Sequence, residues 1–310
     1  MSTELRAFLR VKEQAPPPRF FERLEERQFE GYRRQLIRYP GTEGDEIPAY
    51  LFLPEGPQKT AAVIVHHQHN GERHLGKSEV AGIAGDPLQA FGPALASRGV
   101  TVLAPDSICF EDRRRGRKGL EPGPGEDDWL QHYNEMSVRL CKGDTLMRKL
   151  LEEADIGLSL LASLPSVDPH RIGALGHSYG GNTVLFQAAI DSRVSFACAS
   201  GAVCSYEDKF ERSTGLEMAL VIPGIHPRFD FPRILASISP REILVVSAEE
   251  DRYSRDADQV VRSAMEQFRK DGSEKALKHR RFPGAHALTR ERFDHIVEWA
   301  CSRSPRINGR

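Results

Sequence analysis

The sequence predicts an α/β fold with a mostly parallel central sheet flanked by helices, and three observations support this prediction. Short apolar runs typical of buried strands alternate with longer stretches that have helical periodicity. A glycine-flanked serine, in Gly176-His177-Ser178-Tyr179-Gly180, stands between one such run and one such stretch. The chain has 310 residues and no repeats, which suits one α/β domain with some additions. We therefore expect a single domain over residues 1–310.

The predicted elements alternate along most of the chain. Residues 1–30 are expected to form an N-terminal helical arm, broken at Pro16-Pro17-Pro18 because proline interrupts a helix. Two early strands follow, and strands then alternate with helices. The predicted strands are 35–39, 47–53, 61–67, 100–104, 171–175, 194–199, 242–248 and 278–282, and the predicted helices are 87–98, 144–164, 180–190, 255–270 and 289–302.

Two segments interrupt this alternation, and we expect them to shape a pocket. Residues 108–143 form an insertion in which spacings of three and four place several side chains on one helical face: Trp129, His132, Tyr133 and Met136. We predict that this insertion is a lid or pocket wall and that Trp129 and Tyr133 contact a substrate; plain packing onto the body is the alternative. The second segment, 201–231, offers Ile222 as an apolar contact near the same site.

The G-x-S-x-G motif predicts a reactive serine. A serine between the strand at 171–175 and the helix at 180–190 must turn sharply, and the close backbone approach leaves room only for hydrogen at Gly176 and Gly180. The turn pushes the Ser178 hydroxyl out of the sheet, where it is free to attack an electrophile. The motif alone also occurs in exposed glycine-rich turns, so the flanking strand and helix decide the interpretation.

A carboxylate and a histidine follow in the order expected for a catalytic triad. Asp251 comes after the strand at 242–248 and is the predicted acid, with Glu250 as a competitor. His286 comes after the strand at 278–282 and is the predicted base. Because the carboxyl ends of parallel strands share one edge of the sheet, these side chains should meet Ser178 there. The imidazole would accept the serine proton, and the carboxylate would orient the imidazole.

The histidine-rich segment after the strand at 61–67 predicts one side of an oxyanion hole. One donor is expected from the backbone N–H of Tyr179 at the start of its helix, and the second from His69 or Gln68. Metal binding is the alternative, because His67 and His69 would share a face of an extended strand end. No H-E-x-x-H pattern or cysteine pair supplies a further ligand, so we predict no metal and no cofactor.

The elbow and four further segments resemble one family. The segments are His67–Asn70 with Gly76-Lys77, Arg98–Asp106, Val167–Gly173 and Ser239–Ser247. Over residues from about 45 to 300, the chain resembles α/β-hydrolases of the dienelactone hydrolase-like branch, close to bacterial acetyl-xylan-esterase-like members. Gln68 departs from the family's usual His-Gly. Ser178 replaces the cysteine of dienelactone hydrolase, which favours esters over lactones.

The resemblance implies a serine esterase that cleaves a small or medium ester through an acyl-enzyme. Thioester cleavage, peptidase or amidase activity, and a noncatalytic ligand-binding protein of the same fold are the alternatives. The expected partner is a small-molecule ester substrate, and a homo-oligomer stays open.

Composition excludes other partner classes. The chain has 43 basic and 44 acidic residues, so it has no global field for nucleic acid or an anionic membrane. The basic run 113–118 is flanked by acidic residues, and we expect a solvated, self-compensating loop there. Five irregularly spaced cysteines suit a reducing compartment, and the N-terminus lacks the apolar core of a signal peptide. We therefore predict a cytoplasmic protein.

Overall fold

A nine-stranded sheet forms the centre of the molecule in the computed structural model, which describes residues 2–12, 21–56 and 58–303. The strands are β1 Glu22–Phe29, β2 Tyr32–Pro40, β3 Glu46–Pro54, β4 Thr60–His66, β5 Thr101–Pro105, β6 Val167–His177, β7 Val194–Ser200, β8 Glu242–Ala248 and β9 Leu277–Phe282. Their order across the sheet is β1-β2-β3-β5-β4-β6-β7-β8-β9. The strands from β4 to β9 pair in parallel, whereas β1, β2 and β3 form an antiparallel meander that joins β5.

Ten helices accompany the sheet. They are α1 Ser2–Phe8, α2 Lys77–Val80, α3 Phe91–Ala96, α4 Asp127–Cys141, α5 Leu146–Ser163, α6 Tyr179–Ile190, α7 Tyr206–Glu211, α8 Phe231–Ala236, α9 Ala257–Lys270 and α10 Arg290–Ser302, all within the described ranges. None of these helices is long and apolar enough to cross a membrane.

The helices pack on both faces of the sheet, which gives two apolar cores. One core contains residues of α1, α5, α6, α8 and α9. The other contains residues of α3 and α10, including Phe91, Leu95, Phe293 and Ile296. All residues of α6 are buried, because this helix lies between the sheet and other helices. The segment that follows the elbow serine is therefore held on every side.

The predicted helical arm is wrong over its second half. Among the described residues of this arm, only Ser2–Phe8 is helical, and Glu22–Phe29 forms the edge strand β1, every residue of which is exposed. An exposed strand lacks the alternating apolar pattern that reveals a strand in a sequence. Its many charges are those with which edge strands avoid further pairing. The prolines at 16–18 lie outside the described residues.

The basic run 113–118 is self-compensating, as predicted, but it is not fully solvated. The side chains of Arg113 and Arg114 are 5% and 0% exposed, because Arg113 pairs with Glu153 at 2.7 Å and Arg114 with Asp128 at 2.6 Å. Arg115, in contrast, has a side chain that is 75% exposed. The Arg113 pair attaches the first part of the insertion to α5 on the body, and the Arg114 pair joins it to α4 within the same insertion.

Candidate active site

The elbow serine lies between the last residue of β6 and the first residue of α6. Ser178 has φ +55°, a conformation that costs energy in a non-glycine residue and persists only where the surroundings enforce it. A Cβ at Gly176 would lie 2.4 Å from the Gly180 carbonyl carbon, and one at Gly180 would lie 2.0 Å from the His66 oxygen. The predicted need for glycine at both positions is confirmed.

Three side chains meet at the carboxyl edge of the sheet, in hydrogen-bonding order. His286 Nε2 lies 2.8 Å from Ser178 Oγ, and His286 Nδ1 lies 3.0 Å from Asp251 Oδ1. Ser178 follows β6, Asp251 follows β8 and His286 follows β9. The structure therefore brings together the three residues that the sequence selected from separate parts of the chain.

The buried carboxylate is held by several donors. Asp251 Oδ1 also accepts from the Tyr253 N–H at 2.9 Å, and Oδ2 accepts from the Ser254 hydroxyl at 2.7 Å. Burial raises the pKa of Asp251, but the hydrogen bonds and charge of His286, together with these donors, outweigh it and leave the pKa below its ordinary value. Asp251 thus stays ionised. Glu250 is exposed, and its backbone N–H bonds the Gly284 carbonyl at 3.0 Å.

A cavity of about 260 Å³ opens beside Ser178 and His286. Its wall includes polar and apolar side chains from three parts of the chain: His69, Asn182, Lys209, Leu216, Glu217 and Leu220. Concave, partly apolar sites with a few placed polar groups are typical of small-molecule binding. The serine hydroxyl and a ligand-sized space are therefore adjacent.

Of the residues predicted to form the oxyanion hole, Tyr179 and His69 lie at the site, whereas Gln68 lies outside the cavity wall. Tyr179 is the first residue of α6, so its N–H is one of those without a partner inside the helix. His69 lines the cavity. Gln68 does not line it: its side chain donates to Glu79 Oε1 at 3.1 Å and its carbonyl lies 2.7 Å from His67 Nδ1.

Hydrogen bonds fix the histidines of this loop in neutral forms. His67 Nε2 accepts from the Ser107 N–H at 3.1 Å, so its proton is on Nδ1, facing the Gln68 carbonyl. His69 Nδ1 accepts from the Gly71 N–H at 2.9 Å, which leaves its ring proton on Nε2. Burial and the nearby Arg73 charge lower the pKa of His69 to about 4. The loop offers donors rather than positive charge.

Within the described ranges, two groups of side chains bring three candidate metal-ligating atoms together, and neither contains a histidine of this loop. One group is Asp106, Glu111 and Asp112, and the other is Cys204, Asp208 and Asp256. The Lys77 ammonium pairs with all three carboxylates of the first group. In the second group, Arg255 pairs with Asp208 at 2.8 Å, and Ser205 donates to Asp256 at 2.5 Å. Protein cations and donors therefore already balance much of this negative charge.

The sequence model of the alpha/beta hydrolase family matches residues 80–306, which is most of the chain. The chain belongs to the alpha/beta hydrolase family. Among curated proteins, it is 30% identical over 241 residues to the protein named "Putative hydrolase YtaP" of Bacillus subtilis (strain 168), covering 75% of this chain and 74% of that protein. The α/β-hydrolase family that the sequence analysis suggested is thereby confirmed, whereas the dienelactone hydrolase-like branch stays a prediction.

Solved structures share the fold of this alpha/beta hydrolase at low identity. A "putative acetyl xylan esterase" of Bacteroides fragilis NCTC 9343 superposes with a TM-score of 0.73 at 16% identity, over 91% of this chain and 74% of that one. A glucuronoyl esterase from Solibacter usitatus superposes with a TM-score of 0.70 at 15% identity, over 97% of this chain and 92% of that one.

The residues predicted to bind substrate lie elsewhere in this alpha/beta hydrolase. Trp129 and Tyr133 are 44% and 41% exposed, stack on each other at 5.1 Å, and are not in the cavity wall. Helix α4 instead turns His132 and Met136 inward, where Arg73 donates to His132 Nδ1 at 3.0 Å and Arg139 pairs with Glu43 at 2.7 Å. Ile222 is buried in a core and does not line the cavity, whereas nearby Leu220 does. The structure does not place these three residues in the wall of this cavity, and their contact with a substrate stays a prediction.

Two residues near His286 were not found from the sequence. The buried Arg292 guanidinium donates to the Ala285 carbonyl at 2.8 Å and the Ala287 carbonyl at 2.7 Å, on either side of His286. Gly201 has φ +59°, and a Cβ there would lie 3.2 Å from His286 Cε1. No local pattern marks either residue, because both act through contacts that only the folded chain creates.

Proposed function

We propose that this protein is a serine hydrolase that cleaves carboxylic esters, with Ser178 as nucleophile, His286 as general base and acid, and Asp251 as the residue that orients and stabilises the imidazole. The observation that carries the proposal is the continuous hydrogen-bonded chain from Ser178 Oγ through both nitrogens of His286 to the buried, ionised Asp251. A serine hydroxyl becomes an effective nucleophile when an oriented base takes its proton.

The reaction would proceed in two halves. Ser178 Oγ attacks the ester carbonyl carbon while His286 Nε2 takes its proton, and a tetrahedral intermediate forms. The intermediate expels the alcohol, which receives that proton from His286, and the acyl group stays on Ser178. Water then attacks the acyl-enzyme with His286 again as base, and the carboxylic acid leaves as Ser178 regains a proton.

The oxyanion would lie between the elbow and the histidine loop. Its proposed donors are the N–H of Tyr179, supported by its place at the start of α6, and a donor of His69, supported by its place in the cavity wall. Gln68 is the weaker of the two loop candidates, because it lies outside that wall. The cavity volume of about 260 Å³ is smaller than the roughly 300–1,000 Å³ typical of sites for drug-sized ligands. This volume supports a small or medium ester as the substrate.

Relatives support ester cleavage over other hydrolytic reactions. The two structural neighbours described above are named as an acetyl xylan esterase and a glucuronoyl esterase, and a third is named as a methylesterase. All three names refer to esters, although their identities to this chain are low. We therefore place ester hydrolysis ahead of thioester or amide cleavage.

The test compares Ser178→Ala with Ser163→Ala, a matched change at an exposed serine of α5. With p-nitrophenyl esters of graded acyl length, Ser178→Ala should lose about 10⁴-fold or more of kcat, and Ser163→Ala should match the wild type. A fluorophosphonate probe should label Ser178 in the wild type and in Ser163→Ala. Near-wild-type hydrolysis by Ser178→Ala, or labelling of another residue, would refute the mechanism. An unlabelled, inactive wild type would favour a ligand-binding protein.

A further inference from the structure

The wall of the catalytic cavity contains two buried oxygen atoms without a hydrogen-bond partner in the described part of the chain. They are Glu217 Oε1 and Asn182 Oδ1, and both residues line the cavity next to Ser178. Buried polar atoms in native proteins nearly always have a partner, so each exception calls for an explanation. Both atoms are acceptors, and both belong to side chains that line the space a substrate would enter.

The carboxyl group of Glu217 is held firmly in place. Glu217 caps the short helical turn 218–220: its Oε2 accepts from the Ala219 N–H at 2.8 Å, and its carbonyl accepts from the Leu220 N–H at 2.9 Å. The Tyr206 hydroxyl donates to the Leu220 carbonyl at 2.9 Å and fastens the end of that turn. One carboxyl oxygen is thus used by the fold, and the other is left free.

The charges around Glu217 select among ligand groups that could donate to it. Arg73 lies near enough for its charge to lower the pKa of Glu217, while burial, the larger effect, raises that pKa to about 7. Lys209 also lines the cavity, with its ammonium bonded to the Cys204 carbonyl and 4.6 Å from the Phe231 ring centre. These cations would repel a ligand ammonium. A hydroxyl group is uncharged; it can donate to an ionised carboxylate, and it can donate to or accept from a protonated carboxyl group.

We propose that Glu217 and Asn182 each accept a hydrogen bond from a hydroxyl group of the substrate, so that the enzyme prefers esters bearing hydroxyls at this end of the cavity over isosteres that carry methyl groups there. This inference rests on the proposed esterase function. A site built to bond a hydroxyl rejects an analogue without it, because its own polar groups are then left unpaired. Glu217 is therefore a specificity-determining residue for the reaction at Ser178.

Two acetate esters of equal shape test the preference. In 2,3-dihydroxypropyl acetate the alcohol carries two hydroxyls, and in 2-methylbutyl acetate methyl groups replace them. Wild-type protein should show a kcat/KM at least about tenfold higher for the hydroxylated ester in a pH-stat assay. An equal kcat/KM for both, or a preference for 2-methylbutyl acetate, would overturn the proposal.

The variant Glu217→Gln keeps the shape of the side chain and an oxygen for the Ala219 N–H, but it replaces the unpaired oxygen with an N–H₂ group. The ratio of the two kcat/KM values should fall about 10- to 100-fold, chiefly through a higher KM for the hydroxylated ester. Glu211→Gln, at an exposed glutamate of α7, is the matched control and should keep the wild-type ratio. An equal loss toward both esters would assign Glu217 to structure alone and overturn the proposal.

Failure of the proposed function would be distinguishable. If the esterase proposal is wrong, wild-type protein hydrolyses neither acetate nor p-nitrophenyl acetate through Ser178. If only the present inference is wrong, Ser178-dependent hydrolysis of p-nitrophenyl acetate persists while the ratio of the two acetates does not depend on Glu217. Should Glu217→Gln fail to fold, the wild-type ratio still decides.

Discussion

Replacing Arg292 with methionine tests how the base of the catalytic chain is held. Arg292 is fully buried at the start of α10, and its guanidinium bonds the carbonyls of Ala285 and Ala287, with a longer contact of 3.4 Å to the His286 carbonyl. Methionine fills similar space but cannot donate. We expect the loop that carries His286 to lose its fixed position while the sheet stays intact.

The loss of folding stability expected for Arg292→Met can be worked out from these hydrogen bonds. Two hydrogen bonds from a charged donor contribute about 1.5–3 kcal/mol each, or roughly 3–6 kcal/mol together. Removing a guanidinium that burial already destabilises offsets part of this, since burial lowers the pKa of Arg292. A net loss of about 2–4 kcal/mol remains. Over 310 residues, an unfolding entropy of about 2.1 cal/mol/K per residue converts this into a fall of roughly 3–6 °C in Tm.

The activity should fall more than the loss of stability explains. At 25 °C the variant is still folded, but a displacement of about 1 Å at a catalytic group costs about 100-fold. We expect kcat/KM for p-nitrophenyl acetate to fall about 10- to 100-fold. Arg290→Met is the control: its side chain is 67% exposed and only 3.7 Å from Asp294, so its kcat/KM should stay within about twofold. Wild-type kcat/KM in Arg292→Met, despite a lowered Tm, would refute the reasoning.

Two further predictions concern carboxylates. Asp251→Asn should lower kcat for p-nitrophenyl acetate by about 10⁴-fold, because an amide favours the wrong imidazole tautomer. Glu250→Gln, at the exposed neighbouring residue, should keep kcat within about threefold of the wild type. The reverse ranking would identify Glu250 as the acid. Burial raises the pKa of Asp144, but hydrogen bonds from Arg148, Thr145 and Arg139 outweigh it and lower the pKa to about 2, below an unfolded value of about 3.9. The ionised form therefore stabilises the fold above about pH 4, and this contribution is lost as the pH falls toward 2. The difference in urea midpoint between wild type and Asp144→Asn should be largest above pH 5 and shrink between pH 4 and 2, and a difference that grows on acidification would contradict it.

The sequence predicted most of the sheet and the three central residues for a physical reason. Parallel strands buried on both faces have continuous apolar runs, so β4 to β8 stand out in the sequence. The residues that follow such strands meet at one edge, so chain order alone brought Ser178, Asp251 and His286 together. Strand β1 has no such apolar run, and its exposed, charged sequence does not show the pattern of a strand.

The pocket wall could not be predicted from helical spacing. Spacing groups the side chains of α4 into one stripe but does not say which edge of the stripe faces the body. The ion pair of Arg139 with Glu43 and the hydrogen bond from Arg73 to His132 fix α4 on the body with Trp129 and Tyr133 facing solvent. Glu217 and Arg292 act through tertiary contacts with a turn and a loop, which leave no periodic signal in the sequence.

Because α10 holds the loop that carries His286, catalytic activity depends on the docking of this last helix. Ser178 and Asp251 extend from strands that precede the last helix, whereas His286 is held by an arginine of that helix itself. A refolding chain can therefore form its elbow and still be inactive until its C-terminal helix docks. Recovery of hydrolysis during refolding would then report this docking, while circular dichroism would report the sheet, and a lag between the two signals would measure the final step of assembly.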